Sequence, residues 1–268
     1  EMFAAVISGI PYGIKFAHLH GGEKTLGAID NIFRHSITLA SVLHFVSCEE
    51  HAARVQKLIE SSENIYNVGA LSLDNLHGIE IYSVEEFNEK YSVDISEPTI
   101  LVTLHPETVS YENNLNYVDV VCSVIHDVIK DFRFIVTLPN SDTAGNIIRE
   151  RFLELQESNE DRIKCFESLG SRGYFSAMNY CAFLLGNTSS GIIEAASFNK
   201  WVINLGDRQR GRIHGANVFD IPFEKDMIKG AISRIMENPK FEGENLFYKG
   251  KAAENVILLL KKYERLYK

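Results

Sequence analysis

The chain of 268 residues is acidic, with 36 Asp and Glu residues against 27 Lys and Arg residues and a formal net charge of −9. Nucleic acids and anionic membranes require a basic protein surface, so this charge argues against both classes of partner. The content of 45% hydrophobic and 24% charged residues is typical of a globular protein, and the length suffices for two modest α/β domains.

The cysteine pattern points to a reducing compartment. Four cysteines lie far apart, with neither a C-x-x-C spacing nor a Cys/His metal-ligand spacing. This favours reduced thiols in the cytoplasm over a disulfide framework or a zinc site. We also expect no membrane helix and no secretion signal, because the sequence has no long apolar span and no basic segment followed by an apolar one at its start.

Apolar runs bounded by turn residues alternate with helical periodicities along the chain. The sequence opens at residues 1–11 with the middle and end of an amphipathic helix that Gly9 and Pro11 stop. Predicted strands follow at 14–19, 42–47, 99–104, 132–138, 162–166, 181–185 and 201–205. Predicted helices lie at 28–39, 49–59, 114–129, 146–156, 174–179 and 192–198. This alternation is typical of parallel βαβ units and predicts an α/β fold.

One acidic stretch interrupts this alternation and suggests a division into domains. Residues 74–98 contain short polar helical pieces, and we interpret them as a connection between a first domain at 1–73 and a second at 99–245. The remaining segment, 246–268, contains a final amphipathic helix at 251–267, which we expect to dock back on the first domain.

The run Asn187-Thr188-Ser189-Ser190-Gly191-Ile192-Ile193-Glu194 joins a predicted buried strand to a predicted helix. Free backbone N–H groups and the positive end of the helix dipole can hold an anion at such a junction, together with the serine hydroxyls. Glu194 follows Ser190 by four residues, so it shares a helix face with that serine and could bind ribose hydroxyls. The structural alternative is an ordinary N-cap serine near a carboxylate.

Three further polar loops follow predicted strands, on the side where open α/β sheets bind ligands. His105 follows strand 99–104 and could donate to a phosphate oxygen, although a turn histidine would give the same pattern. Asn140 follows strand 132–138 in a loop that could equally be a simple helix start. Arg208 and Arg212 lie in a basic loop that follows strand 201–205 and is bracketed by glycines. Their forked donors suit a phosphate group, although a run of charges is more often a solvated loop.

The segment His18-Leu19-His20-Gly21-Gly22-Glu23 is the fourth candidate site. Two glycines let the backbone approach a ligand closely, and His20 and Glu23 can serve as acid or base, as can Asp30 on the following helix with Arg34. His-x-His also occurs in metal sites, but no further ligand follows at a usual spacing, so we expect no metal here.

These motifs occur in one order and cover nearly the whole chain. They resemble the hydrolysing UDP-N-acetylglucosamine 2-epimerases of sialic acid and related nonulosonic acid biosynthesis, whose two Rossmann-like domains have the GT-B arrangement. The matching segments are His18-x-His20-Gly21-Gly22-Glu23, Ile29-Asp30-x-x-x-Arg34-His35-x-Ile37-Thr38, Asn67-Val68-Gly69-Ala70, Leu104-His105-Pro106-x-Thr108, Pro139-Asn140, Gly186-Asn187-x-Ser189-Ser190-Gly191-x-x-Glu194 and Asn204-Leu205-Gly206-x-Arg208-Gln209-x-Gly211-Arg212. The resemblance implies two parallel-sheet domains, the first one incomplete, because family members begin with further strands.

The resemblance also implies roles for individual residues. The residues implied in nucleotide or substrate binding are His105, Asn140, Ser189, Ser190, Glu194, Arg208, Arg212 and Arg34, with Glu194 on the ribose. Glu23, Asp30 and His20 are the implied catalytic candidates. Some relatives have glutamate at the position of His20, so the choice of base between His20 and Glu23 stays open.

The family reaction is anti elimination of the nucleoside diphosphate to a glycal, followed by hydration that inverts C2 and releases free N-acetylmannosamine. It needs a base for the C2 proton and positive groups for the leaving diphosphate. The resemblance implies a nucleotide-sugar substrate, no cofactor, and a homodimer or homotetramer. The identity of the nucleotide, UDP or GDP, and the substituents at C4 and C6 of the sugar are not determined by the sequence.

Three alternatives share parts of this pattern. A GT-B glycosyltransferase would transfer the sugar to an acceptor, and a non-hydrolysing epimerase would return a nucleotide sugar. The segment from His18 to Glu23 favours the hydrolysing branch of the epimerases, and release of a free C2-inverted sugar without an acceptor would separate that branch from a glycosyltransferase. A non-catalytic nucleotide-binding fragment is the alternative from another class of protein.

Overall fold

The computed structural model describes residues 1–26, 30–107, 111–140 and 143–266. It divides into a first unit of Glu1–Gly78, Gly211–Ile213 and Asn245–Lys268 and a second unit of Ile79–Arg210 and His214–Glu244. The predicted domain division at residues 73, 98 and 245 stays a prediction. Ala28, Ile29, Thr108, Ser141 and Asp142, which belong to predicted elements or motifs, lie outside the described residues.

The strands and helices follow each other in the alternating order expected of an α/β protein. The strands are β1 (Phe16–Leu19), β2 (Ser41–Val46), β3 (Ile65–Asn67), β4 (Thr99–Thr103), β5 (Arg133–Thr137), β6 (Ile163–Phe166), β7 (Phe183–Gly186), β8 (Val202–Leu205) and β9 (Val218–Ile221). The α-helices are α1 (Met2–Gly9), α2 (Asp30–Ala40), α3 (Glu49–Ile59), α4 (Leu71–Gly78), α5 (Val84–Tyr91), α6 (Asn114–Val128), α7 (Thr143–Glu157), α8 (Gly170–Tyr180), α9 (Ser189–Ile193), α10 (Lys225–Glu237) and α11 (Ala252–Leu266). Single 3₁₀ turns lie at Ile10–Tyr12, Tyr111–Asn113 and Ala195–Phe198.

The first unit is built on a parallel sheet with the strand order β1-β2-β3. Leu43 and Phe45 of β2 form its core with Val68 and with Val256 of α11. The Asp74 carboxylate of α4 accepts hydrogen bonds from the amides of Ala252 and Ala253, so it caps the start of α11. The final helix is therefore held on this sheet by both apolar packing and a capping carboxylate.

The second unit is built on a six-stranded parallel sheet with the order β6-β5-β4-β7-β8-β9. Every residue of β4 and of β7 is buried, which explains the apolar runs at 100–102 and 183–185 in the sequence. All the strands are parallel, but the order in which the chain adds them reverses between β4 and β7: β5 and β6 lie on one side of this point, and β8 and β9 lie on the other. In open α/β sheets, ligands bind beyond the carboxyl ends of the strands at such a switch point.

The predicted α/β class with two parallel sheets is confirmed, whereas several predicted elements need correction. The helix predicted at 192–198 is wrong, because α9 begins at Ser189 and ends at Ile193, and a separate 3₁₀ turn follows it. The left-handed backbone at Asn199, with φ of 57°, ends that turn. Two strands, β3 and β9, were not predicted, nor was α10. Within the described ranges, no helix combines the length and the apolar character that crossing a bilayer requires.

Candidate functional site

Two loops meet at the switch point of the second unit and are joined by one buried side chain. Asn187 follows β7 and is fully buried. Its Oδ1 accepts from the His105 amide at 2.7 Å, and its Nδ2 donates to the His105 carbonyl at 2.8 Å. Gly186, with φ of 139°, lets the two strands approach, since a Cβ there would lie 1.9 Å from the Thr103 carbonyl oxygen. The backbone at His105 is thus fixed against the start of the serine-rich turn.

The serine-rich turn itself is short and tightly wound. Thr188 caps α9 by accepting from the Ser190 amide, and the Glu194 amide donates to the Ser190 carbonyl at 2.9 Å. Ser190 and Glu194 are therefore one helical turn apart, as predicted. Ser189 is exposed, Ser190 is half-buried and Glu194 is buried. Because α9 has only five residues, it has no long helix dipole to hold an anion. Hydroxyl and backbone amide groups are the donors available here.

The basic loop after β8 is tied to the same place by a buried carboxylate. Oε1 of Glu107 accepts from the amides of Asp207 and Arg208 at 2.6 and 3.2 Å. The Arg208 guanidinium donates to the Pro106 carbonyl at 2.8 Å, and the Gln209 side chain donates to the Asn187 carbonyl at 2.8 Å. The structure therefore brings the predicted residues His105, Ser190 and Arg208 into one network of loops.

Asn140 lies at the same carboxyl edge of the sheet. It is exposed and follows β5, which pairs with β4. The Thr103 and Thr137 hydroxyls, at the ends of these two strands, make a 2.6 Å hydrogen bond. The next two residues, Ser141 and Asp142, are outside the described ranges. Asn140 therefore follows the strand next to β4 and is open to solvent.

In the first unit, the Glu23 carboxylate is held by two arginines. Arg212 donates to Oε1 from Nε at 3.1 Å and also from Nη2, and Arg34 Nη2 lies 3.6 Å from Oε2. Arg34 also donates to the Glu23 backbone carbonyl at 3.2 Å. The side chains of Glu23 and Arg212 are only 15% and 10% exposed. Burial raises the pKa of Glu23, but the charge and hydrogen bond of Arg212 and the charge of Arg34 outweigh it, so that pKa lies below its usual value. Glu23 is therefore a firmly ionised group.

His20 adopts a conformation that is rare for a residue with a side chain. Its φ is 61°, in the left-handed region, and its amide donates to the Phe45 carbonyl at 2.8 Å. Burial lowers the pKa of His20, the Glu23 carboxylate opposes this, and the charges of Arg212 and Arg34 lower it further. The net shift is downward, so the imidazole is neutral at pH 7 and can accept a proton. Strained residues of this kind concentrate at functional sites.

Two neighbouring histidines have structural partners. The ring of His18 makes a 3.0 Å hydrogen bond with Thr38, and burial lowers its pKa to about 4. His51 makes a 2.9 Å hydrogen bond with Ser47, and burial also lowers its pKa to about 4. The His51 backbone carbonyl packs under Gly22, where a Cβ would lie 2.3 Å away. These contacts fix the path of the loop that carries His20.

Asp30 occupies a different environment from Glu23. It is the exposed first residue of α2, one helical turn before Arg34. Across the described ranges, no group of three or more His, Cys, Asp or Glu side chains is arranged to hold a metal ion.

A family model described as UDP-N-acetylglucosamine 2-epimerase matches residues 1–261. The chain belongs to the UDP-N-acetylglucosamine 2-epimerase family. This confirms the family resemblance drawn from the motifs, and it makes the protein an enzyme that acts on nucleotide sugars.

Similar proteins from other organisms support the same assignment. The epimerase chain is 34% identical to the polysialic acid biosynthesis protein P7 of Escherichia coli over 98% of its own length and 68% of the relative's. It is also 34% identical to a hydrolysing UDP-N,N'-diacetylbacillosamine 2-epimerase of Legionella pneumophila, over 97% of its own length and 68% of the relative's.

Solved structures share the fold. A structure of MnaA from S. aureus with UDP has a TM-score of 0.81 at 19% identity, covering 98% of this chain and 72% of that one. A UDP-GlcNAc 2-epimerase from Neisseria meningitidis bound to UDP-GlcNAc has a TM-score of 0.81 at 17% identity, covering 97% of this chain and 73% of that one. At these identities the likeness establishes the fold of the epimerase.

No role was predicted for Asn187, although it belongs to one of the matching motifs, and Glu107 and Gln209 were not predicted to organise the loops. Their functions depend on partners from other loops, such as the Asp207 amide, 100 residues from Glu107. The one local signal was a polar Gly-Asn pair directly after a fully apolar strand, which is typical of a backbone-fixing asparagine.

The lowered pKa of Glu23 predicts a specific pH dependence of the epimerase's stability. A carboxyl whose pKa is lower in the folded state stabilises the protein above its unfolded pKa, near 4.5, and loses this contribution as pH falls through the folded value. We expect Glu23→Gln to lower the free energy of unfolding at neutral pH, with a difference from wild type that shrinks at about pH 3. Urea denaturation at both pH values measures this difference. The exposed Glu63→Gln should show no comparable change, and a pH-independent effect of Glu23→Gln would contradict the ion-pair explanation.

Proposed function

We propose that this enzyme is a hydrolysing 2-epimerase of UDP-activated 2-acetamido sugars, and that it releases UDP and a free sugar of the N-acetylmannosamine type. The observation that carries the proposal is the loop from His18 to Glu23. It presents a neutral imidazole on a strained backbone beside a carboxylate that two arginines hold ionised. Removal of a proton from carbon requires a group of this kind.

The second unit supplies the nucleotide site in this proposal. Ser189, Ser190, His105 and Arg208 bind the diphosphate through hydroxyl, amide, imidazole and guanidinium donors. The buried Glu194 carboxylate accepts from the ribose hydroxyls, one helical turn from Ser190. Asn140 contributes from the neighbouring loop after β5. The support is the shared network around Asn187 and Glu107, together with solved relatives whose structures contain UDP.

The first unit supplies the acid and base groups. His20 is the base that takes the C2 proton, because its lowered pKa leaves it neutral and ready to accept. Glu23, with its lowered pKa, is a weak base, and we assign it to holding Arg212 and Arg34 in position for the substrate. Asp30 remains the alternative base, since it is exposed on the same helix as Arg34.

The proposed reaction has two steps, elimination of UDP and then addition of water. In the first, His20 takes the C2 proton, the C2–H electron pair forms the C1=C2 double bond, and the C1–O bond breaks with its electrons on UDP. In the second, water adds across the double bond, with hydroxyl at C1 and a proton at the face of C2 opposite to the one that lost it. Positive donors around the diphosphate stabilise the charge that develops on the leaving group. No electron transfer occurs in either step.

The hydrolysing reaction is favoured over the alternatives by the named relatives. The Legionella pneumophila relative at 34% identity, and a Campylobacter jejuni relative at 34% identity over 82% of the chain, are both named as hydrolysing diacetylbacillosamine epimerases. UDP-N,N'-diacetylbacillosamine is therefore the second substrate to test beside UDP-N-acetylglucosamine. A homodimer or homotetramer stays a prediction.

Proton NMR of the reaction in D₂O tests this function directly. With UDP-N-acetylglucosamine or UDP-N,N'-diacetylbacillosamine, we expect UDP and a free C2-inverted sugar that carries deuterium at C2. A mixture of two nucleotide sugars would indicate a non-hydrolysing epimerase. No turnover with either substrate in the absence of an acceptor would favour a glycosyltransferase or a nucleotide-binding protein. A free sugar without deuterium at C2 would contradict the elimination step.

A further inference from the structure

Tyr174, on α8 of the second unit, has a buried hydroxyl that no described residue satisfies. Its hydroxyl oxygen is shielded from solvent, and within the described ranges it makes no hydrogen bond of ordinary geometry, although the hydroxyls of Thr103, Thr188 and Ser190 lie within reach. Leaving a buried hydroxyl unpaired is unfavourable relative to pairing it. Unsatisfied groups of this kind are few in native proteins, and each one calls for an explanation.

The surroundings of this hydroxyl are rich in other hydroxyl groups. The side chains of Thr103, Thr188 and Ser190 lie close to it, and the Glu194 carboxylate lies within electrostatic range. Burial raises the pKa of Tyr174, and the neighbouring hydroxyls counter only part of this rise. The phenol therefore keeps its proton at neutral pH and acts as an O–H donor.

The helix that carries Tyr174 is fixed at both ends. Near its start, the Tyr91 hydroxyl donates to the Leu169 carbonyl at 2.8 Å and packs against Gly173, where a Cβ would lie 2.1 Å from that hydroxyl oxygen. At its end, the Tyr180 hydroxyl donates to the Tyr82 carbonyl at 2.9 Å. Because α8 is held in this way, the Tyr174 hydroxyl is kept beside the turn at Thr188 and Ser190.

We propose that Tyr174 is a positioning residue of the nucleotide site: when a nucleoside diphosphate binds, the Tyr174 O–H donates to Ser190 Oγ, so that the Ser190 O–H points to a phosphate oxygen. This inference rests on the proposed function, in which Ser190 binds the diphosphate. Ser190 would then accept one hydrogen bond and donate another, and hydrogen bonds arranged in such a chain strengthen each other. Tyr174 acts through Ser190 and does not itself touch the ligand.

A double-mutant cycle on UDP binding tests this role, with affinities measured by isothermal titration calorimetry. We expect Tyr174→Phe to weaken UDP binding by about 3- to 10-fold, the range for one lost neutral hydrogen bond. Ser190→Ala should weaken it by roughly tenfold or more, because a hydrogen bond to a charged phosphate is lost. The double variant should bind UDP like Ser190→Ala alone, since Tyr174 has nothing to position without the serine hydroxyl.

Stability separates this role from a structural one. Tyr174→Phe keeps the aromatic ring and, in the protein without nucleotide, removes only an unpaired hydroxyl, so the free energy of unfolding measured without UDP should not fall. Tyr180→Phe is the matched control on the same helix. It removes a hydroxyl that has a partner, so it should lower the free energy of unfolding, which Tyr174→Phe should not do.

The outcomes distinguish this inference from the proposed function. If the wild-type protein fails to bind UDP, both are overturned. If the wild type binds UDP and Ser190→Ala weakens binding, the nucleotide site stands. In that case, wild-type affinity in Tyr174→Phe, or a further loss when Tyr174→Phe is added to Ser190→Ala, would overturn the positioning role alone.

Discussion

Replacing His20 by asparagine is expected to lower kcat by about 10²- to 10⁴-fold, the usual contribution of a general base, while UDP affinity stays at the wild-type value. Asparagine is the appropriate substitute because it tolerates the left-handed φ of 61° found at this position and cannot act as a base. The backbone hydrogen bond from residue 20 to Phe45 is kept, so the loop should retain its path. Steady-state release of UDP and calorimetric UDP binding measure the two effects.

The pH dependence of kcat/KM in the wild-type enzyme should also show that His20 acts as the base. Because burial lowers the pKa of His20 below 6.5, the imidazole is neutral at pH 7, and kcat/KM should fall only on the acid side, below that usual value. The acid limb should disappear in the residual activity of His20→Asn. An acid limb that persists unchanged would identify another group as the base.

Two comparisons sharpen this test. His126→Asn, at an exposed position on α6, makes the same substitution away from the proposed site and should leave kcat unchanged. Glu23→Gln and Asp30→Asn test the other candidates. If either of them lowers kcat by 10²-fold or more while His20→Asn does not, the assignment of the base to His20 is wrong.

The sequence predicts the parts of the proposed nucleotide site that depend on local pattern. The strands β4 and β7 are fully buried, so each contains an apolar run, at 100–102 and 183–185, and a loop with polar residues follows each strand. That pattern locates the loops at His105 and Ser190 on one edge of a parallel sheet without any long-range information. The geometry found there agrees with this prediction.

Contacts between distant segments could not be predicted in the same way. Arg212 and Glu23 are 189 residues apart, and no periodicity or spacing pairs them. The ion pair nevertheless bears on the proposed chemistry, because the charges of Arg212 and Arg34 lower the pKa of Glu23 and keep its carboxylate ionised. The left-handed backbone at His20 could not be predicted either, because a histidine does not mark a positive φ in the sequence as a glycine in a turn does.

Short elements were missed for a different reason. The strand β3 has only three residues, all half-buried, so it shows neither an alternating pattern nor an apolar run. The helix α10, in contrast, had a readable signal, because its buried residues Ile228, Ala231, Ile232 and Ile235 follow helical spacing. Its omission was an error of interpretation, whereas β3 depends on pairing with β2.

Replacing Asn187 by aspartate is expected to damage both the fold and nucleotide binding. The substitution keeps the shape but turns the Nδ2 donor into an oxygen that faces the His105 carbonyl, at a fully buried position. An unpaired buried acceptor or charge costs about 3 kcal/mol in free energy of unfolding. Because Asn187 joins the His105 loop to the turn at Ser190, we also expect UDP affinity to fall by about tenfold or more. Urea denaturation and calorimetry measure the two losses.

The pH dependence of this variant distinguishes a lost donor from a general loss of packing. As pH falls, the carboxyl introduced by Asn187→Asp takes up a proton, and its O–H can then donate to the His105 carbonyl as the amide does in the wild type. The difference in UDP affinity between variant and wild type should therefore shrink with decreasing pH. Asn116→Asp, at an exposed position on α6, adds the same charge and should change neither property. A pH-independent defect in Asn187→Asp, or wild-type UDP affinity at pH 7, would mean that this pair of hydrogen bonds does not hold the nucleotide loops together.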